Sequence, residues 1–271
     1  MSKIKHYKTI VISDIHLGMS DSKAKELVRF LKKNICNKLI LNGDIIDGWR
    51  LRRGGEWKKK HTRFFRVVLK MIERHGTEVI YTRGNHDDFL DNFIPFTAGR
   101  FSIVKDYIYE SHNRKYWVLH GDVFDSITTH WRWLAKLGDI GYNLLLWTNK
   151  IYNNNRIRKG LPYYSLSKDI KQKVKTAVSY FSDFEKELAS MATVKGMDGV
   201  ICGHIHHPSI ATYNNIIYMN SGDWVESLSA LVEDHEGNWK IIYYTEWQEE
   251  MNKIKLEKKS GQNNLTSDTD I

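Results

Sequence analysis

The chain has 271 residues, 41% hydrophobic and 12% aromatic, so it can bury a large core as one elaborated domain. Its 41 Lys and Arg exceed its 32 Asp and Glu, and the net charge of +9 indicates an anionic partner: a phosphorylated substrate, an anionic lipid surface or nucleic acid. Its 2 cysteines argue against a disulfide scaffold, and no apolar run approaches the ~20 residues of a membrane span. We therefore expect a protein of a reducing compartment, without a signal peptide at its basic N-terminus.

The first motif is the segment from Thr9 to Gly18, where an apolar run typical of a buried strand ends in Asp14 and His16. If the chain stays extended there, both side chains point the same way, and a carboxylate oxygen and an imidazole nitrogen can share a cation. The Asp-x-His pattern also occurs in ordinary loops, so the rest of the chain must decide its meaning.

The next elements alternate between helix and strand. Spacing of apolar residues predicts helices over Ser22–Ile35 and Trp57–His75, the second ended by Gly76, and strands over Lys38–Leu41 and Glu78–Thr82. The two strands run into Asn42-Gly43-Asp44 and Gly84-Asn85-His86-Asp87. In open α/β sheets ligands bind beyond the carboxyl ends of the strands, so these polar clusters are expected to converge.

The second half predicts shorter strands and one long helix. A stripe of apolar residues from Val174 to Met191 indicates a core-facing helix. Two of the strands lead into His120-Gly121-Asp122 and Gly203-His204-Ile205-His206. From Gln248 the chain becomes polar, so we expect a folded domain over 1–247 and a disordered tail over 248–271. The strands predicted here are Phe101–Val104, Tyr107–Tyr109, Tyr116–Leu119, Gly199–Cys202, Ile216–Asn220, Ser227–Val232 and Trp239–Tyr244.

Five strand ends thus offer metal ligands. Two divalent cations about 4 Å apart need roughly four protein ligands each, usually with one carboxylate shared between them. A mixed set of oxygen and nitrogen ligands suits Mn²⁺, Fe or Zn²⁺ better than Ca²⁺ or Mg²⁺. The side chains in this set are Asp14, His16, Asp44, Asn85, His120, His204 and His206.

In this order and combination, the five motifs resemble those of the calcineurin-like metallophosphoesterase superfamily. The resemblance implies an α/β (α+β) fold: a four-layer sandwich of two mixed β-sheets flanked by helices. We expect a helical cap insertion over 126–175 within this domain. The resemblance also implies two divalent metal ions, with Mn²⁺ as the first choice and Fe or Zn²⁺ as alternatives. By matched motif, one metal would be held by Asp14, His16 and His206, the other by Asn85, His120 and His204, with Asp44 bridging.

The mechanism that the resemblance implies is hydrolysis of a phosphoester or pyrophosphate bond by a hydroxide that bridges the two metals. His86 would then be a catalytic residue, which stabilises the transition state or protonates the leaving oxygen. Asp87 would be its orienting partner.

Within the superfamily, the sequence is most similar to the UDP-2,3-diacylglucosamine diphosphatases of lipid A synthesis. These enzymes typically have arginine after the asparagine of the third motif, where this chain has His86, so the chain resembles their histidine-bearing relatives. The similarity implies hydrolysis of UDP-2,3-diacylglucosamine to UMP and 2,3-diacylglucosamine 1-phosphate by a cytoplasmic protein, peripheral on the inner membrane. It rests on Ser13–Gly18, Gly43–Trp49, His120–Asp122, Leu134–Asp139 and Gly203–Pro208.

The aromatic and basic segment 126–175 allows two interpretations. It is either an ordinary helical insertion with a solvated basic face, or a cap over the site. A cap would provide a groove that binds acyl chains and basic side chains that bind the diphosphate. On the second interpretation the candidate substrate-binding residues are Asp122, Arg156, Arg158 and Lys159.

Two other functions remain open. The same chemistry could act on a soluble phosphodiester, nucleotide or phosphoprotein. The chain could instead be a nucleic-acid-binding protein or nuclease, but we expect no nucleic-acid partner because the basic residues lack an aromatic stacking pattern or a recognition motif.

Overall fold

The computed structural model of the protein describes residues 4–124, residue 181 and residues 183–266. The described residues up to Asp122 and from Ala189 onward belong to one compact unit. A second unit, Val123–Leu188, lies mostly outside the described residues. The predicted cap over 126–175, and with it Arg156, Arg158 and Lys159, also lies outside them.

The larger of two mixed sheets has the strand order β12-β11-β1-β2-β3-β5-β4 among the described residues. The four central strands β1, β2, β3 and β5 are parallel, whereas β11, β12 and β4 pair antiparallel to their neighbours. Parallel neighbours place their carboxyl ends at one edge of the sheet. Its strands are β1 Lys5–Ile12, β2 Asn34–Asn42, β3 Glu78–Thr82, β4 Phe96–Ala98, β5 Phe101–Val104, β11 Ser229–Glu233 and β12 Trp239–Tyr243.

The smaller sheet has the order β6-β7-β8-β10-β9 within the same described ranges. Strands β7, β8 and β10 are parallel to one another, and β6 and β9 form antiparallel edges. The predicted fold of two mixed sheets with flanking helices is therefore confirmed. The strands are β6 Tyr107–Ser111, β7 Arg114–Val118, β8 Gly199–Cys202, β9 Ser209–Tyr213 and β10 Ile216–Asn220.

Alternate residues of the central strands face two different cores. Val11, Ile40 and Ile80 are buried against side chains of the second sheet such as Ile201 and Met219. Their strand neighbours on either side face the helices instead, in the other core cluster. This two-residue period explains why the strands read as continuous apolar runs, since both of their faces are buried.

The helices on the outer face of the large sheet are amphipathic. We number the described helices α1 Ala24–Leu31, α2 Gly48–Arg52, α3 Lys59–His75, α4 at 183–194 and α5 Tyr244–Thr266. Helix α3 ends as predicted at Gly76, which has a left-handed φ of 63°. Helix α1 is shorter than predicted because Ile35 belongs to β2, where it pairs with His6.

Helix α5 corrects the expectation of disorder from Gln248 as far as Thr266, whereas residues 267–271 of the predicted tail lie outside the described residues. It runs through these residues because Trp247, Met251 and Ile254, spaced at four and three residues, pack on the helix-facing core. The polar composition masked this short apolar stripe. None of the described helices is long and apolar enough to cross a bilayer. Cys36 and Cys202 are both buried, and neither forms a disulfide bond in the described part of the chain.

Candidate metal centre

The seven predicted ligands all follow the carboxyl ends of parallel strands. Asp14 and His16 follow β1, Asp44 follows β2, and Asn85 follows β3 in the larger sheet. His120 follows β7, and His204 and His206 follow β8 in the smaller sheet. Because each set of strands is parallel, the ligands of each sheet lie at one edge, and the two edges meet at these side chains.

The ligand-bearing turns adopt left-handed backbone conformations, which corrects the premise of an extended chain at Asp14 and His16. Asp14 has φ of 51° and His16 of 49°, and Asp44, His204 and His206 lie between 51° and 68°. Residues other than glycine rarely adopt such angles, and they do so where the surrounding structure enforces them. Backbone bonds hold these turns, including those from the N–H groups of Asp14 and His16 to the carbonyls of Gly43 and Asp44.

Asp14, His16 and His206 form the first predicted metal cluster. His206 Nε2 lies 3.1 Å from Asp14 Oδ1, and His16 Nε2 lies 3.9 Å from the same oxygen. The other Asp14 oxygen accepts the backbone N–H of His204 at 3.0 Å, which fixes the orientation of the carboxylate. One ligand atom from each of these three residues lies within 4.8 Å of the others, which is compatible with a shared cation.

Asp44 lies between this cluster and a second one. Its Oδ2 atom is 3.8 Å from His16 Nε2 and 3.4 Å from His120 Nε2, so it can reach a ligand on either side. The His120 ring is held by a 3.0 Å contact between its Nδ1 atom and the carbonyl of Asn42, which leaves Nε2 directed at the carboxylates. The His204 ring lies edge-to-face against His120, with centroids 5.1 Å apart.

The chemistry of these atoms fits a metal centre. Asp14 Oδ1, Asn85 Oδ1 and His120 Nε2 are buried polar atoms without a hydrogen-bond partner among the described residues. Buried polar atoms are normally paired, and coordination to a cation would satisfy all three. The set of carboxylate, amide and imidazole donors suits a transition-metal ion better than a hard oxygen-only cation.

Charge balance supports the same interpretation. Burial alone would raise the pKa of the Asp14 carboxyl, yet His206 and His120 lower it to about 2. Burial would likewise lower the pKa of His120, but Asp44 and Asp14 raise it to about 10. Two buried carboxylates are costly unless paired with positive charge, so this pocket demands cations, whether protons on histidine or bound metals.

His86 lies beside the cluster, and its carboxylate partner differs from the expected one. Its Nδ1 atom is 3.0 Å from Asp47 Oδ1, and its Nε2 atom is 3.9 Å from Asp44 Oδ2. Although burial alone would lower the pKa of His86, the contacts with Asp47 and Asp44 raise it. The ring also packs against Trp49 in a tilted arrangement, with a centroid distance of 4.4 Å.

Asp87, which we expected to orient His86, instead organises the backbone. Its two oxygens accept the N–H groups of Ile45 and Ile46 at 3.1 and 2.9 Å, and the Tyr81 hydroxyl at 2.8 Å. It thereby holds the turn that follows Asp44. Burial, together with the Asp44 charge, raises the pKa of Asp87 to about 7.

Asp47 lies outside the predicted ligand set but contacts two residues of the site. Its Oδ2 atom lies 3.5 Å from His16 Nδ1 while its Oδ1 atom contacts His86, so one carboxylate orients a predicted ligand and a predicted catalytic residue. It also caps α2 by accepting the N–H of Arg50 at 2.7 Å. Its position three residues after Asp44, on the same turn, is the sequence signal.

Asp122, a candidate substrate-binding residue, is paired within the protein. It accepts a hydrogen bond from Arg83 Nη1, and the Nε atom of the same guanidinium lies 2.9 Å from Asp91. Arg83 directly precedes the Gly84-Asn85-His86 motif and therefore ties it to the His120 segment. Sequence reasoning missed this arginine, because nothing in its spacing distinguishes it from a surface cation.

Glycines of the motifs allow the ligand turns to approach one another. A Cβ atom on Gly84 would lie 2.3 Å from Asp44 Oδ1, and one on Gly203 would lie 2.5 Å from Asp14 Oδ2. Both distances are far below van der Waals contact, so a side chain at either position would displace a carboxylate ligand.

Comparison with known proteins places this geometry in a family. The profile of the family described as calcineurin-like phosphoesterase matches residues 7–208. A UDP-2,3-diacylglucosamine hydrolase of Yersinia pseudotuberculosis serotype O:1b (strain IP 31758) is 22% identical over 208 residues, which cover 74% of this chain and 83% of that protein. The hydrolase of the same description from Yersinia pestis is 21% identical over 207 residues, with the same coverage of both chains.

Among solved structures, a novel archaeal phosphodiesterase has a TM-score of 0.41 at 13% identity and covers 87% of this chain and 98% of its own. A phosphoesterase from E. coli has a TM-score of 0.42 at 14% identity with the same coverage. The family profile spans most of the sequence, and the Asp and His side chains of its motifs converge at the meeting edges of the two sheets. The chain therefore belongs to the calcineurin-like phosphoesterase family of metal-dependent phosphoester hydrolases.

Proposed function

We propose that this protein is a dimetal pyrophosphatase that hydrolyses UDP-2,3-diacylglucosamine to UMP and 2,3-diacylglucosamine 1-phosphate. The observation that carries the dimetal chemistry is the position of Asp44, whose Oδ2 atom lies 3.8 Å from His16 and 3.4 Å from His120. A carboxylate shared between two histidine-containing groups is the arrangement that a two-metal site requires.

In this proposal Asp14, His16 and His206 hold one ion, Asn85, His120 and His204 hold the other, and Asp44 bridges, with Mn²⁺ as the expected metal. When bound, two such ions neutralise charge on the phosphoryl oxygens and lower the pKa of water. The chain contributes the rigid positions of the ligands: the His120 ring is held by the Asn42 carbonyl and the Asp14 carboxylate by the His204 N–H.

His86 is the proposed catalytic residue. Asp47 holds its Nδ1 atom at 3.0 Å and favours the imidazolium form, while the Nε2 atom lies on the side of Asp44. An imidazolium there can donate its Nε2 proton to the leaving oxygen or stabilise negative charge on the phosphoryl group. Asp87 supports the step indirectly, through the backbone of Ile45 and Ile46.

The substrate is inferred from similarity and charge. The relatives described as UDP-2,3-diacylglucosamine hydrolases match 74% of this chain, and the net charge of +9 suits a diphosphate-bearing lipid. We propose that the protein works in the cytoplasm and binds peripherally to the inner membrane. Arg156, Arg158 and Lys159 remain candidates for the diphosphate, whereas Asp122 already pairs with Arg83.

The test is product analysis with the Mn²⁺-loaded protein and UDP-2,3-diacylglucosamine in detergent. We expect UMP and the lipid monophosphate in equal amounts. Asp44→Ala should abolish both turnover and stoichiometric metal binding, because the shared ligand is lost, whereas Asp21→Ala, which removes an exposed carboxylate, should change neither. Full turnover by Asp44→Ala in excess metal would overturn the dimetal assignment.

A second candidate is a phosphodiesterase or phosphatase that acts on a soluble substrate. It is favoured by His86, which stands where the diacylglucosamine diphosphatases typically carry arginine. A generic phosphodiester such as bis(p-nitrophenyl) phosphate distinguishes the two. Turnover of that ester alone, with no UMP released from the lipid, would replace the lipid substrate and retain the metal chemistry.

A further inference from the structure

Within the described part of the chain, positive charge is clustered in a groove between helices α1 and α3. Eight Lys and Arg side chains line this groove and its extension, and no carboxylate is among the described residues that line them.

The cations form two facing stripes. On α1, Lys25, Arg29 and Lys32 follow one another at four- and three-residue spacing, which places them on one side of the helix. On α3, the spacing of three, four and four residues aligns a second stripe about 16 Å long. That stripe consists of Arg63, Arg66, Lys70 and Arg74.

Few of these charges have a partner: Lys60 donates to the carbonyls of Ser20 and Ser22, and Arg29 forms a hydrogen bond with Tyr244. Seven of the eight side chains are exposed, and none has a carboxylate within ion-pair distance in the described part of the chain. Like charges at this helical spacing repel one another and destabilise the helix. The crowding is evident at Lys60, where burial and then the neighbouring Lys58 charge lower the pKa of the ammonium group.

The floor of the groove is apolar, formed by Val28, Leu31, Val67 and Met71, and its cavity of about 450 Å³ is large enough for small polar head groups. A cluster of surface cations around an apolar floor is attracted to the negative surface potential of an anionic lipid bilayer. An aromatic stacking platform, which single-stranded nucleic acid would require, is absent from the described lining.

We propose that the α1–α3 groove is the surface by which this protein docks on an anionic lipid bilayer, whose phosphate head groups enter between the two stripes. The inference rests on the proposed function and deepens it, because it names the surface that brings the enzyme to a membrane-embedded substrate. The groove lies close to the active edge: Lys60 at its end donates to the carbonyls of Ser20 and Ser22, in the loop that follows the ligand His16.

The test is sedimentation with vesicles of phosphatidylglycerol and phosphatidylcholine, compared with vesicles of phosphatidylcholine alone. The docking variant is Arg66→Glu with Lys70→Glu. The matched control is Lys105→Glu with Arg114→Glu, which reverses two exposed cations outside the groove, one between β5 and β6 and one at the start of β7, and gives the same net charge. All proteins are measured at one ionic strength, because exposed charges are screened by salt.

We expect the wild type to bind only the anionic vesicles. The docking variant should bind them roughly a hundredfold more weakly, about tenfold for each reversed side chain, and the control should bind within a few-fold of the wild type. Equal loss in both variants would overturn the proposal, because only net charge would then matter. So would failure of the wild type to bind, or tighter binding to a single-stranded oligonucleotide or an acidic peptide than to the vesicles.

Hydrolysis in detergent separates this inference from the proposed function. The docking variant should retain wild-type turnover of detergent-dispersed UDP-2,3-diacylglucosamine, since neither substituted residue contacts the metal centre. Vesicle binding without turnover of that lipid would refute the proposed substrate and leave the docking surface intact. Turnover of that lipid in detergent without vesicle binding would refute the docking surface and leave the proposed substrate intact.

Discussion

The substitution Asp47→Asn tests whether one carboxylate positions both His16 and His86. Asparagine keeps the size of the side chain and is as good a cap for α2 as aspartate, so the bond from the Arg50 N–H is retained. What it removes is the negative charge at 3.0 Å from His86 Nδ1 and 3.5 Å from His16 Nδ1. The variant therefore separates the orienting role from the structural one.

The expected loss of activity and of metal affinity in this variant follows from those two contacts. Loss of a partner that orients a metal ligand typically lowers activity or metal affinity by about 10 to 100-fold, which corresponds to roughly 1.4 to 2.8 kcal/mol. His16 orientation affects metal affinity, whereas the His86 charge affects the chemical step. We therefore expect kcat to fall about 10 to 100-fold at saturating metal, with a separate weakening of metal binding.

The assay is steady-state turnover across a metal titration, with metal binding measured by calorimetry on the same samples. Asp91→Asn is the matched control: Asp91 is 53% exposed and pairs with Arg83 Nε, and it touches neither histidine. An unchanged kcat in the fully metal-loaded Asp47→Asn protein would refute the reasoning. An equal loss in both variants would show that general electrostatics, rather than the two contacts, carries the effect.

Three further predictions follow from single side chains. His86→Ala should keep full metal binding and lower kcat by about a hundredfold or more, and loss of metal with an unchanged rate per bound ion would show that His86 is a ligand. Gly84→Ala should weaken metal binding at least about tenfold, because the new Cβ would lie 2.3 Å from Asp44 Oδ1. The control Gly99→Ala, at a left-handed φ of 59° with open space around it, should lower stability only and leave metal binding intact. Burial lowers the pKa of His61 to about 4, whereas the pKa in the unfolded chain is 6.5. As the pH falls below 6.5, the unfolded state therefore binds a proton that the folded state does not, and the free energy of unfolding decreases until about pH 4. His61→Gln should flatten this part of the profile of urea midpoints, and an identical slope in both proteins would contradict the assignment.

Strands and ligands could be predicted because their signals are local. The strands Glu78–Thr82, Phe101–Val104, Gly199–Cys202 and Ile216–Asn220 have the predicted bounds, since each is a short apolar run closed by a turn residue. The edge strand Ser209–Tyr213 was missed, because its sequence is mixed and its stability comes from pairing with β10.

The geometry of the site could be predicted only in part. The ligand positions at strand ends follow from the motifs, but the left-handed turns at Asp14 and His16 do not, because they are imposed by bonds to the β2 turn. The partner of His86 also depends on tertiary structure. Asp87 is adjacent to it in sequence, yet the ring contacts Asp47, which is 39 residues away.

The location of the predicted ligands on two different sheets would make metals bound there part of the folded architecture. Asp14 and Asp44 belong to the larger sheet and His120 and His206 to the smaller, so ions that bind this set tie the two together and require both to be folded. A ligand that binds only the native state adds about 2.7 kcal/mol to stability at a concentration 100 times its dissociation constant. Metal supply in the cell would then set the lifetime of the protein as well as its catalytic competence, with starvation for the ion exposing the apoprotein to unfolding and proteolysis.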